Sequence, residues 1–414
     1  MKKREFDVII LGATGFTGRL VAEHLLATYG VSGSLRWAIA GRNPEKLGQI
    51  KQALGPGADA LPIIVAESHD ADSICALVKR TQVVASTVGP YSIHGNELVA
   101  ACARFGTHYC DLAGEVPWIR RMIDAHSGVA KRSGAVLVNC CGFDSIPSDI
   151  GVWFMQREAQ ERFGQPLQKI HFCVEDFSGG LSGGTAASMM EVIEEARGDR
   201  RCARLLMNPY SLNPRNNASG LDQRDAVGFG HDEILDTWVA PFLMAGINTR
   251  IVRRSNALLG NAYGKDFRYA EYLGTGSGPT GLLKAAAVSG AMATLFVSAA
   301  FAPTRALLKR FALPSPGEGP NEKERNDGFY RIVLAGMDAE GRVLRGEVTG
   351  DRDPGYGSTS RMLGEAAVCL SNLDTDTEKT PGGFLTPAAA MGDALLDRLQ
   401  RNAGLGFEIK SQLD

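Results

Sequence analysis

Asp7-Val8-Ile9-Ile10-Leu11 runs directly into Gly12-Ala13-Thr14-Gly15-Phe16-Thr17-Gly18, and a helical stretch from Leu20 to Thr28 follows. An apolar strand, a glycine-lined bend and a helix in that order form the opening of a βαβ unit. Each glycine then has its own use. One makes the sharp turn, one lets the main chain approach a pyrophosphate, and one lets helix and strand pack closely. The helix start adds N–H groups and a partial positive charge suited to phosphate. Gly12, Thr14, Gly15, Phe16, Thr17 and Gly18 are therefore the expected dinucleotide cradle, the alternative being a purely structural turn. The Thr14 and Thr17 hydroxyls suit phosphate, and they suit a helix cap equally well.

Working outward, short apolar runs continue to alternate with helical stretches. Leu35 to Ala40, Pro62 to Val65, Gln82 to Val88, Thr107 to Cys110 and Ala135 to Asn139 read as further buried parallel strands. The expected fold is α/β, a Rossmann doubly wound parallel sheet, over residues 1–147. Beyond Pro147 longer extended segments appear, Lys169 to Phe177 and Asn248 to Arg254. A hairpin pairs Phe329 to Met337 with Arg342 to Thr349 through the turn Asp338-Ala339-Glu340-Gly341. Residues 148–354 thus read as a second α+β domain with an antiparallel sheet, for substrate and dimerisation. Residues 355–414 read as C-terminal helices. Glycine- and proline-rich loops are expected at Gly179 to Gly184, Gly274 to Gly281 and Pro314 to Pro320.

The end of the second strand bears on the form of the cofactor. An NAD-specific domain places Asp or Glu there, roughly 20 residues past the glycines. Here stand Gly41-Arg42-Asn43, with Lys46 a turn later. A guanidinium suits a 2′-phosphate, so NADP is expected ahead of NAD. The other reading leaves Arg42 and Lys46 as solvated surface cations. Glu67, past the third strand, is a candidate acceptor for the adenine amino group. The fourth strand ends in Thr87-Val88-Gly89-Pro90-Tyr91, then Ser92-Ile93-His94-Gly95. Ligands in such sheets bind beyond the strand carboxyl ends, so Thr87, Gly89, Pro90 and Tyr91 are expected along the ribose and nicotinamide. Tyr91 and His94 are the candidate proton donors. Asp144 and Asp149 lie at the same edge, as helix caps or as site carboxylates.

With 414 residues, a net charge of -2 and 22% charged residues, the composition gives no electrostatic reason to expect nucleic acid, and a small-molecule substrate is expected. The 8 cysteines include no Cys-x-x-Cys, so no metal site is read and a reducing cytoplasm is expected. No Tyr is followed by Lys four places on, and no Gly-x-Ser-x-Gly, His-Glu-x-x-His or P-loop lysine occurs. Hydrolase and metalloenzyme readings lose support. Ala285 to Pro303 carries no charge and approaches the length of a membrane span. A buried helix, an interfacial one and a span are all open, so peripheral membrane contact through 285–303 is a candidate.

Together these stretches resemble the saccharopine dehydrogenase-like oxidoreductases, in the bacterial branch with the trans-acting enoyl reductases. The motifs are GATGFTG, AGRN, VGPY with its following HG, THYCDLAGE, CGFDSIPSDIG and SGGTAASM at Ser182 to Met189. GYGSTSRMLGEAAVCL at Gly355 to Leu370 and GGFLTPAAAMGDALLDRL at Gly382 to Leu399 extend the match to nearly the whole chain. The resemblance implies a Rossmann domain, a second domain with an antiparallel sheet, and C-terminal helices packed back on the nucleotide half. It implies NADPH-linked reduction of a lipid-like enoyl or carbonyl compound, and a homodimer is expected. A saccharopine-type amino-acid dehydrogenase and a non-catalytic nucleotide-binding or membrane-associated protein are the competing readings.

Overall fold

The computed structural model describes residues 4–179, 182–222, 225, 228–301, 303–305, 308, 319–373 and 381–413. Parts of the loops expected at Gly179 to Gly184 and Pro314 to Pro320 lie outside the described residues, as does residue 302 of the apolar stretch.

The chain divides into two compact units. The first takes the chain up to Phe143 and returns for Gly355–Ala403. It alternates β1 (Phe6–Leu11), α1 (Phe16–Tyr29), β2 (Trp37–Gly41), α2 (Pro44–Ala53), β3 (Ile63–Val65), α3 (Ala71–Val78) and β4 (Thr81–Ser86). There follow α4 (Tyr91–His94), α5 (Asn96–Phe105), β5 (His108–Asp111), α6 (Val116–Ser133) and β6 (Val136–Val138). The strands lie in the order β3, β2, β1, β4, β5, β6, all parallel, with one further strand from Gly383–Leu385 beside β6. That is the Rossmann strand order, reversing between β1 and β4. The strands read as continuous apolar runs because helices cover both faces; Val8, Ile9, Ile10, Val83 and Val84 are wholly buried.

Local signals end these elements where the sheet needs its edge. Asn43 and Asp70 cap α2 and α3 with their side chains. Gly106 and Gly134 close α5 and α6 in the left-handed conformation. The helix Thr359–Ser371 packs against α1 through a buried carboxylate. Glu365 accepts from His24 Nε2 at 2.8 Å and from the Tyr29 hydroxyl at 2.7 Å, and Arg398 of the helix Pro387–Asn402 stands 3.3 Å away.

The second unit holds α7 (Ile146–Phe163), β7 (Lys169–Ser178), α8 (Gly183–Gly198), α9 (Arg200–Met207), β8 (Gly230–Asp232) and β9 (Thr237–Pro241). It continues through α10 (Ala245–Leu258), β10 (Arg268–Gly276), α11 (Gly278–Ala300), β11 (Phe329–Met337) and β12 (Val343–Gly350). A strand at the far end of the chain, Leu405–Leu413, pairs with β12 as an edge, where the sequence suggested only helix. Its alternation places Leu405 and Phe407 inward, both buried. The sheet is mixed and not purely antiparallel, because β7 and β10 run parallel. Enough chain lies between those two strands to bring the second back in the same direction.

Asn248 to Arg254 is the larger correction, since these residues lie in α10 and form no strand. Thr249, Ile251 and Val252 favour a strand locally, but tertiary pairing overrides that preference. Arg250 and Arg253, three apart and so on one helical face, meet Asp225 at 2.8 Å and Asp222 at 2.6 Å. α11 contains most of the uncharged stretch. It has a mean hydropathy of 1.6 with 17% of its apolar window buried. Gly281, Ala285, Ser289 and Ala299 face inward, whereas Leu283, Phe296 and Val297 are exposed.

Candidate functional site

β1 and β4 end side by side where the strand order reverses. Gly12 leaves β1 at φ +95°, a conformation that favours glycine, and a Cβ there would stand 2.7 Å from Thr87 Oγ1. A Cβ on Gly18 would stand 2.2 Å from the Gly12 oxygen, so helix and bend approach closely only because both are glycine. Gly15 is the N-cap of α1, and no side chain caps the helix. Neither Thr14 nor Thr17 is used in that way. An uncapped helix start behind a close glycine bend fits the diphosphate of a dinucleotide. Phe16, the first residue of α1, sets its ring edge-on against Tyr356 with centroids 4.7 Å apart.

At the end of β2 the Gly41 oxygen accepts from Ala66 N at 3.0 Å, which holds Arg42 beside the loop after β3. Arg42 and Lys46 are exposed, and neither has an ion-pair partner among the described residues. Asn43 uses its Oδ1 to accept from Lys46 N at 2.8 Å, so its side chain is occupied as a cap. Glu67 is half-buried, and its Oε1 accepts from the Ser68 hydroxyl at 3.3 Å.

The loop after β4 resolves differently from the sequence expectation. Thr87 turns its hydroxyl inward, donating to the Gly12 oxygen at 3.2 Å, and so braces the bend. Gly89 and Pro90 carry the chain into α4, with Pro90 at its N-cap. Tyr91 is buried, donates to the Ser86 oxygen at 3.0 Å and accepts from Leu112 N at 3.1 Å. Burial, with Asp111 nearby, pushes its phenol well above the ordinary range. Both hydrogen-bonding capacities are taken by main chain, which argues against Tyr91 as a proton donor. His94 Nδ1 meets His69 Nε2 at 2.9 Å.

Two buried carboxylates hold the loops at this edge, Glu115 the one after β4 and Asp111 those after β5 and β6, and sequence reasoning did not give them that role. Glu115, 1% exposed, accepts from Tyr91 N and Ser92 N, each at 2.8 Å. Asp111, fully buried, accepts from the Tyr109 hydroxyl, Asn139 Nδ2, Ala113 N and Cys140 N at 2.7–3.0 Å. Burial still pushes its carboxyl up to about 6. Their place at the end of a strand was legible, but the Tyr91, Ser92, Asn139 and Cys140 donors they collect come from other segments.

In the second unit, neither Asp144 nor Asp149 caps α7, whose N-cap is Ser145 without a side-chain bond. Asp149 is buried and accepts from the Ser255 hydroxyl. Asp144 has no hydrogen-bond partner among the described residues, and burial pushes its carboxyl up to about 6.

Residues 8–138 match the family model of the saccharopine dehydrogenase NADP binding domain. A putative trans-acting enoyl reductase of Mycobacterium tuberculosis is 42% identical over 406 residues, covering 96% of each chain. The trans-acting enoyl reductase of Mycobacterium ulcerans is 38% identical over 410 residues, again 96% of each. Among solved structures, apo saccharopine dehydrogenase (L-Glu forming) from Saccharomyces cerevisiae aligns over 99% of this chain and 100% of its own, with a TM-score of 0.49 and 12% identity.

Proposed function

The chain belongs to the saccharopine dehydrogenase-like oxidoreductases, among the trans-acting enoyl reductases, and from that premise we propose that it reduces the carbon–carbon double bond of a lipid-like enoyl substrate with NADPH. It is an NAD(P)-dependent oxidoreductase with an NADP-binding domain. The observation that carries the finer reading is the similarity to reductases of that name along 96% of the chain, through both units. The cradle at the strand-order reversal supports it.

NADPH supplies a hydride. The chain's own residues hold and orient it. Main-chain amides around Gly12 to Gly18 take the diphosphate, Arg42 and Lys46 the 2′-phosphate, and Glu67 the adenine. Thr87 keeps the bend in shape. Tyr91 is a positioning residue that ties the loop after β4 to the segment after β5.

The exposed apolar face of α11 supports contact with a lipid surface, and we place the protein in the cytoplasm at the membrane periphery, as a homodimer. The deciding experiment follows NADPH oxidation with trans-2-enoyl thioesters, ketones and imines. Turnover is expected with the enoyl compounds. Turnover confined to imines would move the protein to the amino-acid dehydrogenases, and tight NADPH binding without oxidation would leave a nucleotide-binding protein.

A further inference from the structure

Three segments of the first unit converge beside Arg42. The bond from Ala66 N to the Gly41 oxygen sets the end of β2 against the loop that carries Glu67 and His69. From that loop His69 reaches the last residue of α4. The two imidazoles share a 2.9 Å hydrogen bond, His69 Nε2 to His94 Nδ1, with ring centroids 4.9 Å apart. His69 is exposed and His94 half-buried, so both are open to a ligand at this edge.

The charges facing His94 come from every side of it. Burial, His69 and Arg42 disfavour its protonated form, while Glu67 and Glu115 favour it. Glu115 is already committed to the amides of Tyr91 and Ser92. Asp70, next to His69, is committed to the start of α3. In the free protein a positive charge on His94 is therefore disfavoured, and in the uncharged pair one ring donates and the other accepts. Such a pair can add one proton and keep its bond; with a second proton both facing nitrogens would be donors.

We propose that the His69–His94 pair is part of the 2′-phosphate site beside Arg42 and sets the preference for NADP over NAD by becoming charged when the phosphate enters. This rests on the reading that Arg42 holds that phosphate. A phosphate monoester carries a charge of roughly -1.5 to -2 at neutral pH. Placed on the Arg42 guanidinium, it replaces a repulsion felt by the pair with an attraction, and the pair takes up a proton from solvent. NAD brings no such charge, so the pair stays neutral and contributes nothing. Arg42 and Lys46 are charged for either nucleotide, whereas the histidines become charged only for one.

The test is calorimetric titration of NADP+ and NAD+ at pH 7.5 in buffers of different ionisation enthalpy, using the wild type, His69→Asn and His94→Gln. For the wild type, proton uptake is expected with NADP+ and none with NAD+. Each variant is expected to lose the uptake and to bind NADP+ about tenfold more weakly, the scale of one charge-assisted contact, with NAD+ affinity unchanged. Variants that keep wild-type uptake and affinity would overturn the proposal, as would equal losses for both nucleotides. Arg42→Asp separates the two layers. If it abolishes the NADP+ preference while the histidine variants leave it intact, only the role of the pair fails. If it changes nothing, the phosphate reading itself fails and takes the pair with it.

Discussion

The Thr87 hydroxyl donates to the Gly12 carbonyl oxygen at 3.2 Å, joining the end of β4 to the end of β1. That same oxygen is the atom a Cβ on Gly18 would strike at 2.2 Å. Gly18→Ala is therefore expected to push α1 away from the bend, costing about 1–3 kcal/mol of stability and most of the NADPH affinity. Thermal melting and a fluorescence titration with NADPH measure the two effects. Wild-type values in both would remove the close approach from the account of the site.

Tyr91 is expected to matter for stability and not for the chemical step. Tyr91→Phe leaves a main-chain amide at Leu112 and a carbonyl at Ser86 without their partner, at a cost of about 1–3 kcal/mol in stability. Its kcat is expected to stay close to wild type. A collapse of kcat in Tyr91→Phe at wild-type stability would return the phenol to the chemistry.

Glu365 makes the first unit sensitive to acid. Burial alone would raise its carboxyl, but the hydrogen bonds from His24, Tyr29 and Asn402 outweigh it, and the net shift is downward from 4.5. A depressed carboxylate contributes stability that is complete above its unfolded value and is lost as the pH falls through the folded one. Melting temperature should thus drop below about pH 4.5 in the wild type. Glu365→Gln should be destabilised by about 2–4 kcal/mol at pH 7 and should lose less on acidification, so the two curves converge. Parallel curves would show that another group controls the acid limb.

Flotation with liposomes tests α11. The wild type is expected to float, and Phe296→Glu combined with Val297→Glu to stay at the bottom of the gradient. Both side chains are exposed, so NADPH binding and the far-ultraviolet spectrum should not change. A wild type that sediments while scattering light as a dimer would assign the apolar face to a second copy of the chain.

The bend was legible in the sequence because close main-chain approach excludes every residue except glycine at Gly12 and Gly18, and two such exclusions at fixed spacing between a strand and a helix leave few other readings. The parallel strands were legible because burial on both faces removes polar residues from them. α10 was not legible. Its β-branched residues point to a strand locally, and the acids that hold Arg250 and Arg253 lie more than twenty residues away in sequence. Tyr91, Asn43 and Thr87 sit on the expected segments, yet the direction of their side chains depends on carbonyls and amides from other strands. A loop's sequence places a hydroxyl near a cofactor edge without saying whether it faces solvent or the sheet.

The first unit is not a continuous piece of chain, since its last portion, Gly355–Ala403, is made after most of the second. While a ribosome is still adding those residues, β6 lacks its neighbour Gly383–Leu385 and α1 lacks the Glu365 that closes over His24. The nascent nucleotide-binding half therefore waits with an open edge and an uncovered helix face until Gly355–Ala403 has been made. A chaperone holding that half, or an early encounter with NADPH, would act during this interval, and a frameshift just before Gly355 would cripple the nucleotide-binding half encoded long before it.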